Sequence, residues 1–178
     1  MGYGECVTAY VSLGSNVEDA TTHLNSALDG LRCLPSVHAL TASERYFTEP
    51  QDDSEQPWFV NQVAQLTCDA WLGPEALLAD MLALEHRLGR VRKAGRRFGP
   101  RVIDLDLLLF GDEVRKADEL CLPHPRMALR AFVLVPLYAL EKDLQLPDGR
   151  SIAVLLNNIA FRVEGNRIYQ SPIAEISC

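Results

Sequence analysis

The apolar pattern of this chain predicts an α+β fold, a sheet with helices packed on it and additional elements at the C-terminal end. Three observations carry that reading. Stretches of period-two alternation and stretches of helical spacing follow one another in the order β-α-β-β-α-β. The pattern changes at turn-forming residues, among them Gly14-Ser15-Asn16, Gly89 and Gly111-Asp112. The 178 residues, 48% hydrophobic and 23% charged, are enough for one core, so a single domain over 1–178 is expected, its core spanning about 8–160 and the role of 163–178 left open.

Residues 7–13 alternate, with Ala9, Val11 and Leu13 on one face, and read as the first strand. Residues 18–32 place Ala20, Leu24, Ala27, Leu28 and Leu31 at helical spacing, and Pro35 requires the helix to stop before it. Residues 37–48 read as extended, followed by an acidic, two-proline loop to Pro57 with little to bury. Over 58–68 Phe59, Asn61 and Val63 share one strand face, while Val60, Ala64 and Leu66 mostly share the other; the imperfect alternation leaves room for a bulge.

The second helix starts at Pro74, a residue suited to the first helical position. It carries an apolar stripe of Leu77, Leu78, Met81, Leu82 and Leu88 and ends at Gly89. Val102 to Phe110 reads as a buried strand, and Leu120 to Pro125 as extended because of its prolines. Residues 126–140 are helical in composition, with Pro136 expected to kink or split them. A turn at Pro147-Asp148-Gly149, a short helix over 151–160 and a strand or hairpin around Gly165-Asn166 complete the chain. This order fits the ferredoxin-like kind of sheet.

Net charge is −7 with a pI near 5.1, which argues against a protein that coats nucleic acid. The five cysteines are scattered without a CxxC pair, so neither a disulfide framework nor a zinc site is expected, and a reducing cytosol fits. Neither a secretory leader nor an apolar run of membrane-spanning length is read, and the expectation is a cytoplasmic protein.

Against that acidic background two features stand out. Asp104 and Asp106 leave one face of an otherwise apolar strand, roughly 7 Å apart at the backbone. Such a pair repels itself and resists desolvation unless a cation sits beside it. Directly upstream, residues 90–101 hold six basic residues and no acid. Two carboxylates beside a basic loop suit magnesium holding a polyphosphate, because magnesium takes few protein oxygens when phosphate and water fill its other positions. The bland alternative is an acidic strand face salt-bridged to the arginines.

Arg90 at the helix exit and Arg101 at the strand entrance are anchored by regular structure and are the favoured catalytic cations, while Arg92, Lys93, Arg96 and Arg97 lie on a glycine-flanked loop. His124, between two prolines, is rigidly presented toward a phosphate or else structural. Glu85 is either a helix-surface charge or a residue that orients an arginine or a nucleotide. Asn61 is either a satisfied core amide or the reader of a flat heterocycle, with Phe59 and Phe132 stacking on its faces.

The run Arg97 to Leu108 (RFGPRVIDLDLL) resembles the signature of the 6-hydroxymethyl-7,8-dihydropterin pyrophosphokinase family. Blocks at Gly14-Ser15-Asn16, Tyr46 to Pro50, Gln56 to Asn61, Glu85 to Arg92, Leu122 to Met127 and Arg130 to Leu134 resemble family blocks in the same order. The resemblance implies a ferredoxin-like α+β domain that transfers pyrophosphate from ATP to the pterin hydroxymethyl group, releasing AMP, in folate biosynthesis. It implies two magnesium ions on Asp104 and Asp106, and catalytic arginines at Arg90 and Arg101. Nucleotide contacts follow at Glu85, Arg92, Lys93, Leu107 and His124. A pterin pocket follows at Thr48, Pro50, Gln51, Phe59, Asn61 and Phe132, in a chain expected to act as a monomer without nucleic acid or membrane. Leu82, Glu119 and Cys121 depart from residues that some members carry near the nucleotide. A DxD nucleotidyl- or glycosyltransferase and an RNA-binding module are the competing classes; the second fits poorly with aspartates on the central strand.

Overall fold

The computed structural model describes residues 5–50, 56–90 and 100–170. In chain order the strands and helices are β1 (Cys6–Ser15), α1 (Ala20–Arg32), β2 (Val37–Ala42), β3 (Tyr46–Thr48), β4 (Phe59–Asp69), α2 (Pro74–Arg87), β5 (Asp104–Phe110), β6 (Arg115–Lys116), β7 (Cys121–Leu122), α3 (Ala131–Leu140), α4 (Ile152–Asn157), β8 (Arg162–Glu164) and β9 (Arg167–Tyr169). A seven-stranded sheet runs β5-β1-β4-β3-β9-β8, with β2 also paired to β4; β6 and β7 form a small separate ribbon. The fold is thus mixed α+β with helices on both faces of one sheet.

Strand alternation sorts the core into two clusters. Ala9, Val11, Leu13, Ala64, Leu66, Leu105 and Leu107 point to the face covered by α1 and α2, and meet Leu24, Ala27, Leu28, Leu31, Leu77, Met81 and Leu84. Tyr10, Val63, Leu108 and Leu109 point to the other face, against Val133, Leu134 and Leu137 of α3 and Ile152 and Leu155 of α4. Helices α1 and α2 cross closely at Gly30, where a Cβ would stand 2.4 Å from Leu84 Cδ1.

Several expectations are corrected. Against β1, β4 pairs without interruption from Cys6↔Asp69 to Ser15↔Val60. The register shifts lie in the partner strands instead, one in β2 between Val37 and Ala39 against β4 and one in β5, where Tyr10 pairs with Leu109 and Val11 with Leu107. Leu108 is the extra residue, which is why Leu108 and Leu109, neighbours in sequence, both pack toward α3 and α4. The β5 strand begins at Asp104 rather than at Val102.

On α2 the buried stripe is Leu77, Met81, Leu84 and Glu85, while Leu82 is 40% exposed. The spacing of four, then three, then one is what a helix face requires, and Leu82 falls off it. Pro136 lies inside α3, which continues through it after a short 3₁₀ turn at Met127–Leu129. Cys33 and Cys68 are free thiols, but Cys121 is disulfide-bonded, a pairing that linear spacing does not reveal.

Candidate active site

Helices α3 and α4 cover one end of their sheet face and leave the other open as a cleft. Ser12, Gly14, Thr48, Glu49, Pro50, Gln56, Phe59, Asn61, Arg101, Asp104, Asp106, Arg130 and Phe132 line it. Strand register sets its floor: Asp104 pairs with Gly14, and Gly14 with Asn61, so one row crosses three strands. At strand spacing this puts Asp104 and Asn61 roughly 10 Å apart at the backbone. Gly14 is required between them, because a Cβ there would stand 2.7 Å from Asn61 Oδ1.

One end of the row is ionic. Asp104 accepts from both Arg90 and Arg101, and Arg130 lies 3.5 Å from Asp106. Arg90 is also paired with Glu85. Glu85 is only 2% exposed and its Oε1 accepts the Leu105 N–H at 2.7 Å, so a single carboxylate ties α2 to the start of β5. Burial pushes the Glu85 carboxyl above its ordinary range, against the Leu105 N–H and Arg90, which favour its charged form. Burial works against the charge of Arg90, but Asp104 and Glu85 overcome it and hold Arg90 above its ordinary value.

Arg101 is fixed through its backbone: its N–H donates to Asn16 Oδ1 at 2.7 Å, and its carbonyl accepts from the Asn16 N–H and from Ser15 Oγ. Asn16 Nδ2 reaches Gln56 Oε1 at 3.0 Å, so this buried amide joins three loop segments at the cleft mouth. The anchor of Arg101 is therefore Asn16 rather than strand entry.

The other end is amide and aromatic. Asn61 Nδ2 donates to Thr48 Oγ1 at 2.6 Å, with Phe59 and Phe132 on the same cleft and the Arg130 guanidinium 5.4 Å from the Phe132 ring centre. A flat polar heterocycle finds here two rings and a fixed amide.

Of the residues singled out in the sequence, Arg101, Asp104, Asp106, Thr48, Pro50, Phe59, Asn61 and Phe132 line this one cleft. Glu85 lies behind the ionic end as the partner of Arg90. Leu107 has its side chain in the α1/α2 core, so any nucleotide contact there runs through its backbone. His124 lies beyond the edge of β5: its N–H donates to Leu108 O at 2.9 Å and its Nδ1 accepts from the Arg126 N–H. Burial lowers the imidazole's pKa, Asp106 opposes that, and Arg130 and Arg126 add to it. Gln51, Arg92, Lys93, Arg96 and Arg97 lie outside the described residues.

Sequence reasoning gave no role to Asn16, Ser12 or Arg130. For Ser12 alone a signal is available: the period-two positions of β1 after Tyr10 (Ser12, then Gly14) carry no apolar side chain, which marks a strand face that leaves the core.

Among the described residues no group of three or more His, Cys, Asp or Glu is placed to hold a metal ion by itself. Two carboxylates on one strand face, without a third, suit a hard cation whose remaining positions are filled by substrate phosphate and water.

The family model for 7,8-dihydro-6-hydroxymethylpterin-pyrophosphokinase (HPPK) matches residues 10–142. A 2-amino-4-hydroxy-6-hydroxymethyldihydropteridine pyrophosphokinase of Pseudomonas aeruginosa is 44% identical over 147 residues, 83% of this chain and 88% of that one. The enzyme of the same name from Haemophilus influenzae is 38% identical over 86% of this chain and 94% of its own length. Crystal structures of Plasmodium falciparum HPPK-DHPS share the fold, with a TM-score of 0.67 at 13% identity in one that covers 94% of this chain. This chain spans about half of that longer one, 50%. By the family match and by these relatives, the chain belongs to the 7,8-dihydro-6-hydroxymethylpterin-pyrophosphokinase family.

Proposed function

We propose that this cleft is where the chain carries out its family's reaction: transfer of pyrophosphate from ATP to the hydroxymethyl group of 6-hydroxymethyl-7,8-dihydropterin, with release of AMP, in folate biosynthesis. The observation that carries the reading is the three-strand row. It sets a carboxylate pair with three arginines at one end of a cleft and a fixed amide with two aromatic rings at the other. Two substrates of opposite character, a polyphosphate and a flat heterocycle, are called for by such a site.

In this reading Thr48, Pro50, Gln51, Phe59, Asn61 and Phe132 hold the pterin, with the Asn61 amide against its polar edge. The hydroxymethyl oxygen then faces the ionic end, where it attacks the β-phosphorus of ATP as the bond from that phosphorus to the oxygen of the departing AMP breaks. Arg90 and Arg101 meet the charge that shifts onto the phosphate oxygens, and Glu85 holds Arg90 in place. Arg92, Lys93, His124 and the backbone at Leu107 complete the nucleotide contacts. Asp104 and Asp106 would hold magnesium, two ions in this reading, and the metal when bound offsets phosphate charge and polarises the reacting phosphorus–oxygen bonds.

The strand order β5-β1-β4 with β2 and β3 beyond supports a ferredoxin-like core, to which β8 and β9 are added. We further propose one domain over 1–178 acting as a monomer in the cytoplasm, without nucleic acid or membrane; no described helix is long and apolar enough to cross a membrane.

The test is a product assay with ATP, magnesium and the reduced pterin alcohol. AMP should form in step with the pterin pyrophosphate. ADP as the product, or turnover independent of the pterin, overturns the reading.

A further inference from the structure

The C-terminal hairpin of β8 and β9 lies beyond residues 10–142 of the family match, yet it touches three separate segments that carry walls of the cleft. First, β9 pairs in parallel with β3, Phe47↔Arg167 and Thr48↔Ile168, and Ile168 is 1% exposed. The pairing is reinforced by the Phe47 N–H, which donates to Asn166 O at 2.8 Å. Second, the Tyr169 ring meets Trp58, the residue before Phe59, edge to face at 5.4 Å between centres. Third, Gln170, 9% exposed, accepts the Ala131 N–H on Oε1 at 2.8 Å and donates from Nε2 to Leu129 O at 2.7 Å.

The third contact is the most specific. The first N–H groups of a helix have no partner within the helix, and a buried one left unmet is costly. No side chain of the Arg130 cap residue satisfies them in α3. Gln170, the residue after β9, does so for the Ala131 N–H, and its two bonds bracket Arg130, fixing the turn that presents Arg130 and Phe132 to the cleft.

We propose that the hairpin is a buttress for the heterocycle end of the cleft, with Gln170 as a positioning residue that acts through Arg130 and Phe132. The inference rests on the reading of that end as the pterin pocket. It goes beyond that reading because it assigns the function of setting pocket geometry to a segment outside the family match. A small displacement of a substrate-positioning ring is enough to change binding strongly. Apart from the 3.5 Å contact of Arg130 with Asp106, the ionic end is held by different contacts, those of Glu85 and Asn16, so nucleotide binding depends on the hairpin less than pterin binding does.

The experiment measures KM separately for the pterin and for ATP in Gln170→Ala, Gln170→Leu and Gln170→Glu, with thermal melts taken alongside. Gln170→Ala and Gln170→Leu should raise KM for the pterin about tenfold, while KM for ATP stays within about twofold. Gln170→Glu keeps an acceptor for the Ala131 N–H but loses the donor to Leu129 O, and should fall between; it also carries the test if the other two fail to fold. An equal rise for both substrates, or no rise for the pterin in folded protein, overturns the proposal. Asn61→Ala in the same assay separates the two readings. If its pterin KM is unchanged, the pocket reading itself fails; if it rises while the folded Gln170 variants match the parent, only the buttress fails.

Discussion

The two faces of the sheet are built from the same strands and end in different chemistry. On the α1/α2 face every inward position of β1, from Ala9 through Val11 to Leu13, is apolar and buried. On the α3/α4 face Tyr10 is buried, but the next two positions are Ser12 and Gly14, and the helices do not cover them. Strand β5 repeats this in reverse chain direction, with Leu108 under the helices and Asp106 and Asp104 in the open cleft. One face spends its sequence on packing, and the other is packed for half its length and left free to bind for the rest. Substitutions on the two faces should therefore separate stability from catalysis.

The largest separation is expected at the carboxylates. Asp104→Ala and Asp106→Ala should each lower turnover by more than about 10³-fold, since each removes a group placed to hold the metal and phosphate charge. Among the described residues the ion pair of Asp106 is a 3.5 Å contact with Arg130, so Asp106→Ala should melt near the parent temperature. Asp104 pairs with two arginines, so its removal should also cost measurable stability. Steady-state rates and melting curves on both variants decide this; substantial turnover in either would move the metal elsewhere.

Two glycines give the next contrast. Gly14→Ala places a Cβ 2.7 Å from Asn61 Oδ1 on the open face, so the amide must swing away from Thr48. The expected result is a pterin KM raised about tenfold, with a modest loss of stability. Gly30→Ala places its Cβ 2.4 Å from Leu84 Cδ1 on the packed face. Overpacking there, about 1–3 kcal/mol, should outweigh a helix-propensity gain of about 1 kcal/mol, lowering the melting temperature with both KM values unchanged. A Gly30→Ala enzyme with a changed pterin KM would contradict the division of labour.

Much of this division was legible in the sequence, and the gaps have physical causes. The Asp104/Asp106 face and the Pro74 start of α2 follow from local rules, period two and fixed φ, that need no partner. The bulge at Leu108 goes unread because a run of three leucines alternates equally well in either phase; only Tyr10 and Val11 across the ladder decide it. Glu85 stays open between surface charge and site in the sequence, although its position falls on the apolar stripe whether Leu82 or Leu84 is counted in it. On that buried face only a partner such as Arg90 or the Leu105 N–H can satisfy its carboxylate, and neither partner is visible in helical spacing. Asn16 and Gln170 were out of reach: both bond to backbone far away in sequence, Arg101 and Ala131, and no spacing encodes such a meeting. The pairing of β9 with β3 is non-local in the same way.

The smallest effect lies deep on the packed face. Cys68 of β4 is fully buried in the α1/α2 core, and burial, with the nearby Asp69 charge adding to it, pushes its thiol from the ordinary 9.0 up to about 11. Below pH 9 the thiol is protonated in folded and unfolded chains alike and contributes no pH dependence. Between 9 and 11 the unfolded chain gives up its proton first, so stability should fall as pH rises through that window. Iodoacetamide at pH 8 should accordingly modify the exposed Cys6 and Cys33 and spare Cys68 until denaturant is added, as read by mass spectrometry of the labelled peptides. Labelling of Cys68 in the native protein at the rate of Cys6 would mean that the α1/α2 face opens to water as the cleft face does, and the contrast between the faces would be lost.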